Sequence, residues 1–114
     1  MKISRFEEIL VWQKTKPFIV EIYKSFLNVG DYSFRDQVLR ASVSIMNNIA
    51  EGFERGSNPD FKKFLYISKG SAGEVRSMLY LALDLSYITQ EKSAKLIQET
   101  EEISKMLSGL IKVL

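Results

Sequence analysis

Apolar residues recur every three or four positions along most of this chain, in four segments separated by short polar breaks. The breaks contain glycine, proline or small polar residues and lie at residues 28–33, 56–59 and 87–90. Recurrence at three and four positions is typical of amphipathic helices, whereas a half-buried strand alternates with a period of two. The pattern therefore predicts four helices and no strands.

The first predicted helix covers residues 6–27 and begins with a capping box in residues 4–7. Pro17 interrupts this segment, and an interior proline costs a helix on the order of 3 kcal/mol. The apolar stripe nevertheless stays in phase on both sides of the proline, which favours one kinked helix over a short helix followed by a longer one. The stripe consists of Val11, Thr15, Phe18, Ile22 and Phe26.

The other three helices carry their own start signals. The second covers residues 34–55 with Ser33 as its N-cap, and the third begins at Pro59 with Asn58 as its N-cap. Thr89 caps the fourth, which runs nearly to the end of the chain. The fourth helix has one apolar stripe, formed by Ile97, Thr100, Ile103, Leu107, Leu110 and Leu114.

The second and third helices each carry two apolar stripes. On the second helix these are Phe34, Val38, Ala41, Ile45, Asn48 and Gly52, and then Leu39, Val43, Met46, Ala50 and Phe53. On the third they are Phe61, Leu65, Ser68, Ala72, Val75, Leu79 and Ala82, and then Phe64, Ile67, Ser71, Met78, Leu81 and Leu85. One stripe is enough for an isolated bundle, so the second stripes predict contact with another subunit. A close approach of a neighbouring helix is predicted at the small residues Ser68, Gly70, Ser71, Ala72 and Gly73.

Short connections between long amphipathic helices favour antiparallel neighbours. The predicted fold is therefore all-α, an antiparallel up-down four-helix bundle. A chain of 114 residues suits one domain, so we expect residues 1–114 to form a single four-helix-bundle domain.

Composition narrows the range of functions. The chain has no cysteine and no histidine, which removes thiolate metal sites and the commonest general base. Its glutamates therefore cannot form the Glu-x-x-His pairs of a di-iron bundle. We expect no enzymatic activity, cofactor, metal or small-molecule substrate. No apolar run approaches a membrane span and the start lacks a signal peptide's apolar block, so we expect a cytoplasmic protein without a membrane partner.

Polar residues share faces on the second and third helices and are predicted to meet. The candidates for a buried polar network or a subunit contact are Arg40, Ser44, Asn48, Glu51, Ser71 and Glu74. In the functional interpretation they line a polar pocket, with Asn48 and Glu51 bonded to serines of the third helix. In the structural interpretation, which we favour, paired polar groups fix helix register or a subunit contact.

Four stretches of the sequence resemble one family. They are EILVWQK at residues 8–14, RASVSI at 40–45, NIAEGF at 48–53 and LALDLSYI at 81–88. In order and spacing they are similar to the bacterial four-helix-bundle proteins encoded in intervening sequences of 23S rRNA genes. Met46 stands where that family usually has a proline, which predicts a more regular second helix here.

The resemblance implies more than the residues alone do. It implies an all-helical protomer that assembles into a ring-like homo-oligomer, notably a pentamer, as do the related accessory proteins of diversity-generating retroelements. It also suggests association with RNA or DNA.

Basic residues are the candidates for such an association. They are Lys14, Lys16, Arg55, Lys62, Lys63, Lys69 and Arg76. A ring would repeat even a small basic patch by symmetry and create a groove for phosphates, although any single lysine can equally belong to an ordinary solvated face. Trp12, Tyr66 and Tyr80 are aromatic residues that either stack on bases or pack at helix edges.

Together these observations favour a non-enzymatic homo-oligomeric bundle that binds nucleic acid or scaffolds a ribonucleoprotein. The alternative is a protein–protein interaction adaptor without a nucleic-acid role. The adaptor predicts an exposed apolar groove, whereas the first function predicts salt-dependent binding of RNA or DNA.

Overall fold

The computed structural model describes residues 2–114, and within them it contains four α-helices and no strand. A short 3₁₀ turn, Phe6–Glu8, precedes them. The helices are α1 (Leu10–Phe26), α2 (Tyr32–Glu54), α3 (Asn58–Asp84) and α4 (Gln90–Lys112). α2 packs on α3, α3 on α4, and α1 on both α2 and α4, while α1 and α3 lie diagonally opposite each other. The predicted antiparallel four-helix bundle is confirmed.

The predicted inner stripes form most of the core. On α2 the prediction is out by one position, because Asn48 is half-buried whereas Ile49 has no exposed surface. Every member of the α1 stripe and of the first α3 stripe is buried, and Phe18, Ile22, Leu65 and Leu79 have no exposed surface. On α4 the prediction is one position out of phase at its start: Leu96 is fully buried, whereas Ile97 is only half-buried. Either residue continues an i, i+3 or i+4 series, so periodicity alone does not choose between them.

The start of α1 differs from the prediction. The capping carboxylate belongs to Glu8, whose Oε1 accepts hydrogen bonds from the backbone N–H groups of Ser4 (2.9 Å) and Arg5 (3.3 Å). Glu7, the predicted partner, pairs instead with the Arg5 guanidinium at 2.9 Å. The resulting turn is separate from α1, which starts at Leu10 rather than residue 6 and then continues through Pro17 as one helix.

Two other N-caps also differ. Ser57 rather than Asn58 caps α3, because its Oγ accepts the N–H of Asp60 at 3.3 Å. Asp31 rather than Ser33 caps α2. The cap of α4 at Thr89 is confirmed. In each miss a neighbouring residue of the same capping class lay one or two positions earlier.

Asp31 is held from two directions. Its Oδ1 accepts the N–H of Phe34 (3.1 Å), and its Oδ2 accepts the hydroxyl of Tyr87 (2.8 Å) from beyond the end of α3. These hydrogen bonds favour the carboxylate and lower the pKa of Asp31, while the same contact raises the pKa of Tyr87. The contact with Tyr87 is long-range and explains why the local pattern missed this cap.

The second apolar stripes of α2 and α3 have different surroundings. On α2, Leu39, Val43, Met46 and Phe53 are half-buried against the core of the same chain. On α3, by contrast, Ile67, Leu81 and Leu85 remain 45%, 48% and 44% exposed. The chain itself therefore covers much of the α2 stripe. On α3 it buries Met78 and partly covers Phe64 and Ser71, and it leaves only the other three members of the stripe exposed.

Helices α2 and α3 approach each other closely at Gly52. A Cβ built there would stand 2.6 Å from Phe64 Cβ and 3.2 Å from Phe61 Cδ1. The prediction of close packing holds for Ser68 and Ala72, which are buried, but is wrong for Gly70 and Gly73. Those two glycines face space where a Cβ would meet nothing within 4 Å.

Within residues 2–114, no helix combines the length and apolar character that crossing a membrane requires.

Candidate nucleic-acid interface

Helices α3 and α4 border an open groove lined by basic side chains, here named the basic groove. Lys69 and Arg76 line it from α3, and Lys105 and Lys112 line it from α4. On each helix the two basic residues are seven positions apart, so they share a face about 10 Å apart along the axis. Glu101 is the one acidic residue in the lining. The basic groove therefore carries an excess of positive charge.

The charges of the basic groove are not used in ion pairs. None of its four basic side chains lies within 4.0 Å of a carboxylate from the described residues. On the other side of α4, Lys14 Nζ lies 3.0 Å from Glu102 Oε2 and Lys92 Nζ lies 2.8 Å from Glu21 Oε2. The hydrogen bond and charge of the Lys92 ammonium lower the pKa of Glu21. Charged residues on the side of α4 that faces α1 thus form ion pairs within the chain, whereas the basic residues on the side that faces α3 do not.

Small residues line the basic groove and an adjoining recess that shares Lys69 and Arg76 with it. They are Gly70, Gly73, Ser104, Ser108 and Gly109. A Cβ at any of the three glycines would find open space within 4 Å, so packing within the bundle does not require glycine there. Their lack of side chains keeps the groove open between the basic head groups.

The seven basic residues predicted from sequence do not form one surface. Lys69 and Arg76 come together in the basic groove. Lys62 precedes Lys69 by seven positions and lies on the same flank of α3. Lys63 is exposed on α3 but does not line the groove.

The remaining three predicted basic residues lie elsewhere and have partners in the chain. Lys14 forms its ion pair with α4. Lys16 Nζ lies 5.2 Å from the centroid of the Trp12 ring, and the Arg55 guanidinium lies 4.8 Å from that of Phe64. Cations placed over rings are partly engaged in cation–π contacts, which leaves these residues less available to phosphates.

Sequence reasoning missed Lys105 and Lys112 as candidates. The signal lay in their seven-residue spacing on a face shared with Glu101 and Ser108, which the fourth helix presents toward the third. This spacing indicates a shared site only once α3 and α4 are known to be neighbours, because only then do these lysines lie beside Lys69.

The predicted polar network exists in part. Ser44 Oγ and Ser71 Oγ share a hydrogen bond of 2.9 Å, and Asn48 Nδ2 donates to Ser44 Oγ at 2.9 Å. One turn away, the buried Ser68 Oγ donates to the Ile45 carbonyl at 2.7 Å. The bonds of Ser71 and Ser68 join α2 to α3 and satisfy polar groups inside the seam. The predicted bond from Asn48 to a serine of the third helix is wrong, because its Nδ2 donates to Ser44 on its own helix.

The hydrogen bond predicted from Glu51 to the serines of α3 is wrong. Glu51 is exposed and its Oε2 accepts instead from Arg55 Nη2 at 3.2 Å, an i, i+4 pair on the solvent face of α2. Glu74 is also exposed and accepts from Gln37 Nε2 at 3.3 Å. Arg40 lines the same shallow groove between α2 and α3 as Glu74. Both residues therefore lie at the rim of the network.

The ring of Trp12 is not accessible for stacking on a base. Its ring is half-buried, Phe6 packs against it edge-on at 5.1 Å between centroids, and Lys16 lies over it. Tyr66 and Tyr80, in contrast, are 57% and 56% exposed. Two of the three predicted aromatic candidates are thus accessible.

Ionisable side chains stay at the surface throughout residues 2–114, where none is buried. In the same residues no group of three or more acidic side chains is placed to hold a metal ion, and the chain has no histidine or cysteine.

The model of the family described as 23S rRNA-intervening sequence protein matches residues 7–109. The chain belongs to this family. The matched span contains Lys69, Arg76 and Lys105 of the basic groove and leaves Lys112 beyond it. The predicted family resemblance is confirmed.

A solved structure supports membership of the 23S rRNA-intervening sequence protein family. The chain is similar to a protein of unknown function from the S23 ribosomal protein family of Bacteroides thetaiotaomicron. The two share 33% sequence identity over 90% of this chain and 99% of the other, with a TM-score of 0.84. None of the curated proteins matches the chain.

Proposed function

We propose that this protein is a non-enzymatic, self-associating bundle that binds nucleic acid through the basic groove. The observation that carries the proposal is the set of four basic side chains, from α3 and α4, without an acidic partner. Lysine and arginine neutralise phosphates and release counterions, which supplies most of the sequence-independent affinity for nucleic acid. Basic side chains already paired within the chain would contribute less.

Self-association is the second part of the proposal. Three exposed apolar residues along one side of α3 and at its end, Ile67, Leu81 and Leu85, support it, because exposed apolar side chains on one side of a helix can be buried in a subunit contact. We propose the ring-like homo-oligomer, a pentamer, that the family resemblance implies. Such a ring repeats the basic groove in each subunit, so that one strand can contact several grooves.

We propose no catalytic step because none of the described ionisable groups is buried, as a general acid or base often is. A general acid or base needs a shifted pKa, which burial or a nearby charge usually supplies. No ionisable group of residues 2–114 is buried, and the groups beside Asp31 and Glu21 lower their pKa values, away from neutral pH. The serines that join α2 to α3 already have hydrogen-bond partners.

Charge reversal tests the nucleic-acid role. Lys69→Glu/Arg76→Glu is expected to weaken binding of a fluorescein-labelled RNA at least tenfold in fluorescence anisotropy, because two attractive charges become repulsive. Lys16→Glu/Lys24→Glu changes the net charge equally on α1, which does not contact α3. This control is expected to change affinity less than threefold. Equal losses in both variants, or no binding by the wild type at low salt, would contradict the proposal.

Solution mass tests self-association. Light scattering of the wild type is expected to give five times the 13.1 kDa mass of the chain. Ile67→Asp/Leu81→Asp is expected to give a smaller species, because a buried carboxylate without a partner is strongly unfavourable at a contact. Val20→Asp/Leu27→Asp, at exposed positions on α1 and directly after its end, is the matched control. A monomeric wild type would remove this part of the proposal.

A second candidate function, the protein-interaction adaptor, has an observation of its own. An apolar groove at the start of α1 and the end of α4 contains Leu10, Met106, Leu110 and Val113. Leu10 and Val113 are exposed, as a docking surface requires. An adaptor would retain its protein partner in the Lys69→Glu/Arg76→Glu variant and lose it in Leu10→Asp/Val113→Asp.

A further inference from the structure

Two exposed tyrosines flank the basic residues on α3. Tyr66, Lys69, Gly73, Arg76 and Tyr80 follow one another at alternating spacings of three and four residues, which places all five on one flank of the helix. Tyr66 lines a recess that adjoins the basic groove and shares Lys69 and Arg76 with it. The two cations therefore lie between two aromatic rings.

These rings are not needed by the fold. More than half of each tyrosine is exposed, and neither ring packs against another aromatic side chain of residues 2–114. Neither hydroxyl forms a hydrogen bond with another described residue. This differs from Tyr87, whose hydroxyl donates to Asp31 and whose ring packs on Phe34.

The spacing suits a ligand that extends along α3. Tyr66 and Tyr80 are fourteen residues apart, which is about 21 Å along a helix that rises 1.5 Å per residue. Midway between them, a Cβ at Gly73 would meet nothing within 4 Å, so the surface is open at that position. Proteins that bind unpaired strands combine a positively charged groove with aromatic rings on which bases stack, and this flank of α3 has both.

We propose that the basic groove binds single-stranded nucleic acid, with Tyr66 and Tyr80 stacking on unpaired bases while Lys69 and Arg76 contact the phosphates between them. This inference rests on the proposed nucleic-acid function and specifies its ligand. A duplex offers phosphates but keeps its base faces stacked inside, so it would use the lysines and arginines and leave both rings idle. A single strand uses both kinds of residue.

The test compares strands and side chains on the purified full chain. The probes are fluorescein-labelled oligouridine, oligothymidine and a mixed-sequence RNA duplex of equal length, measured by anisotropy at one salt concentration. The wild type is expected to bind a single strand at least tenfold more tightly than the duplex. The oligouridine and oligothymidine arms distinguish RNA from DNA as the preferred strand.

Tyrosine variants test whether the rings of Tyr66 and Tyr80 contact the strand. Tyr66→Ala/Tyr80→Ala is expected to lose at least tenfold in single-strand affinity and to change duplex affinity less than twofold. Tyr66→Phe/Tyr80→Phe keeps the rings and is expected to stay within about threefold of the wild type, because stacking uses the π-face. Tyr23→Ala/Tyr32→Ala removes two tyrosines outside the groove and is the matched control.

Four results would overturn the inference. Equal affinity for single strand and duplex would leave the proposed function intact and remove the single-strand preference. Unchanged single-strand affinity in the alanine variant would show that the tyrosines do not contact the strand. A reduced oligomer mass of that variant would place them in a subunit contact instead. Loss of all binding by the wild type would remove the proposed function and this inference together.

Discussion

The two flanks of α3 are built from similar residues with opposite results. On the α2 flank, small and polar residues close the seam: Gly52 lets the helices meet, and Ser68 donates to the Ile45 carbonyl. On the α4 flank, Gly73 faces open space and Lys69 has no acidic partner. On the α2 flank the small and polar residues pack between the helices, whereas on the α4 flank they remain accessible.

This difference separates residues that serve the fold from those available to a ligand. A glycine inside a helix costs up to about 1 kcal/mol relative to alanine, and close packing at Gly52 accounts for that cost. No such contact accounts for Gly73. Substitutions on the two flanks should therefore change the free energy of unfolding by different amounts and, at the two glycines, in opposite directions.

The largest effect on stability is expected at Gly52. Gly52→Ala places a Cβ 2.6 Å from Phe64 Cβ, an atom fixed to the α3 backbone, so the helices must separate. Overpacking of this kind costs about 1–3 kcal/mol, more than alanine's gain in helix propensity. Urea denaturation is expected to show a loss of about 2 kcal/mol. A variant as stable as the wild type would show that the α2–α3 seam is looser than described.

A smaller loss is expected at Ser68. Ser68→Ala removes the buried 2.7 Å hydrogen bond to Ile45, and a typical internal hydrogen bond contributes about 1 kcal/mol. Ser77→Ala, on the exposed surface of the same helix, is the control and should stay within about 0.5 kcal/mol. Equal unfolding free energies for the two variants would remove the distinction between the seam and the surface.

The smallest effect should have the opposite sign. Gly73→Ala places its methyl group in open space, so alanine's helix propensity is expected to raise stability by up to about 1 kcal/mol. The melting temperature of the free protein measures this directly. A loss of stability would mean that the α4 flank is packed after all, for example by a neighbouring subunit.

The bundle could be predicted from sequence because its core follows local periodicity. The stripes of α1 and the first stripe of α3 are buried as predicted, since each depends only on residues three and four apart. The cap at Asp31 was missed because Tyr87 supports it from 56 residues away. Likewise, the exposure of Ile67 against the half-burial of Val43 depends on where α1 and α4 lie, which no single segment encodes.

The candidate site was only half predictable for the same reason. Lys69 and Arg76 stand out on one helix, but Lys105 and Lys112 join them through the packing of α3 on α4. Conversely, Lys14 looked equivalent to Lys69 until the structure placed Glu102 beside it. Charge along a sequence thus gives candidates, and pairing across helices separates balanced charges from available ones.

The salt dependence of single-strand binding tests the central claim most directly. The logarithm of the binding constant falls with the logarithm of salt concentration by about 0.7 for each phosphate neutralised on a single strand. Lys105→Gln/Lys112→Gln is therefore expected to reduce the slope by about 1.4 for each subunit that the strand contacts. Lys16→Gln/Lys24→Gln on α1 is expected to leave it unchanged. A wild-type slope in the groove variant, or an equal reduction in the α1 control, would contradict the basic groove as the binding surface.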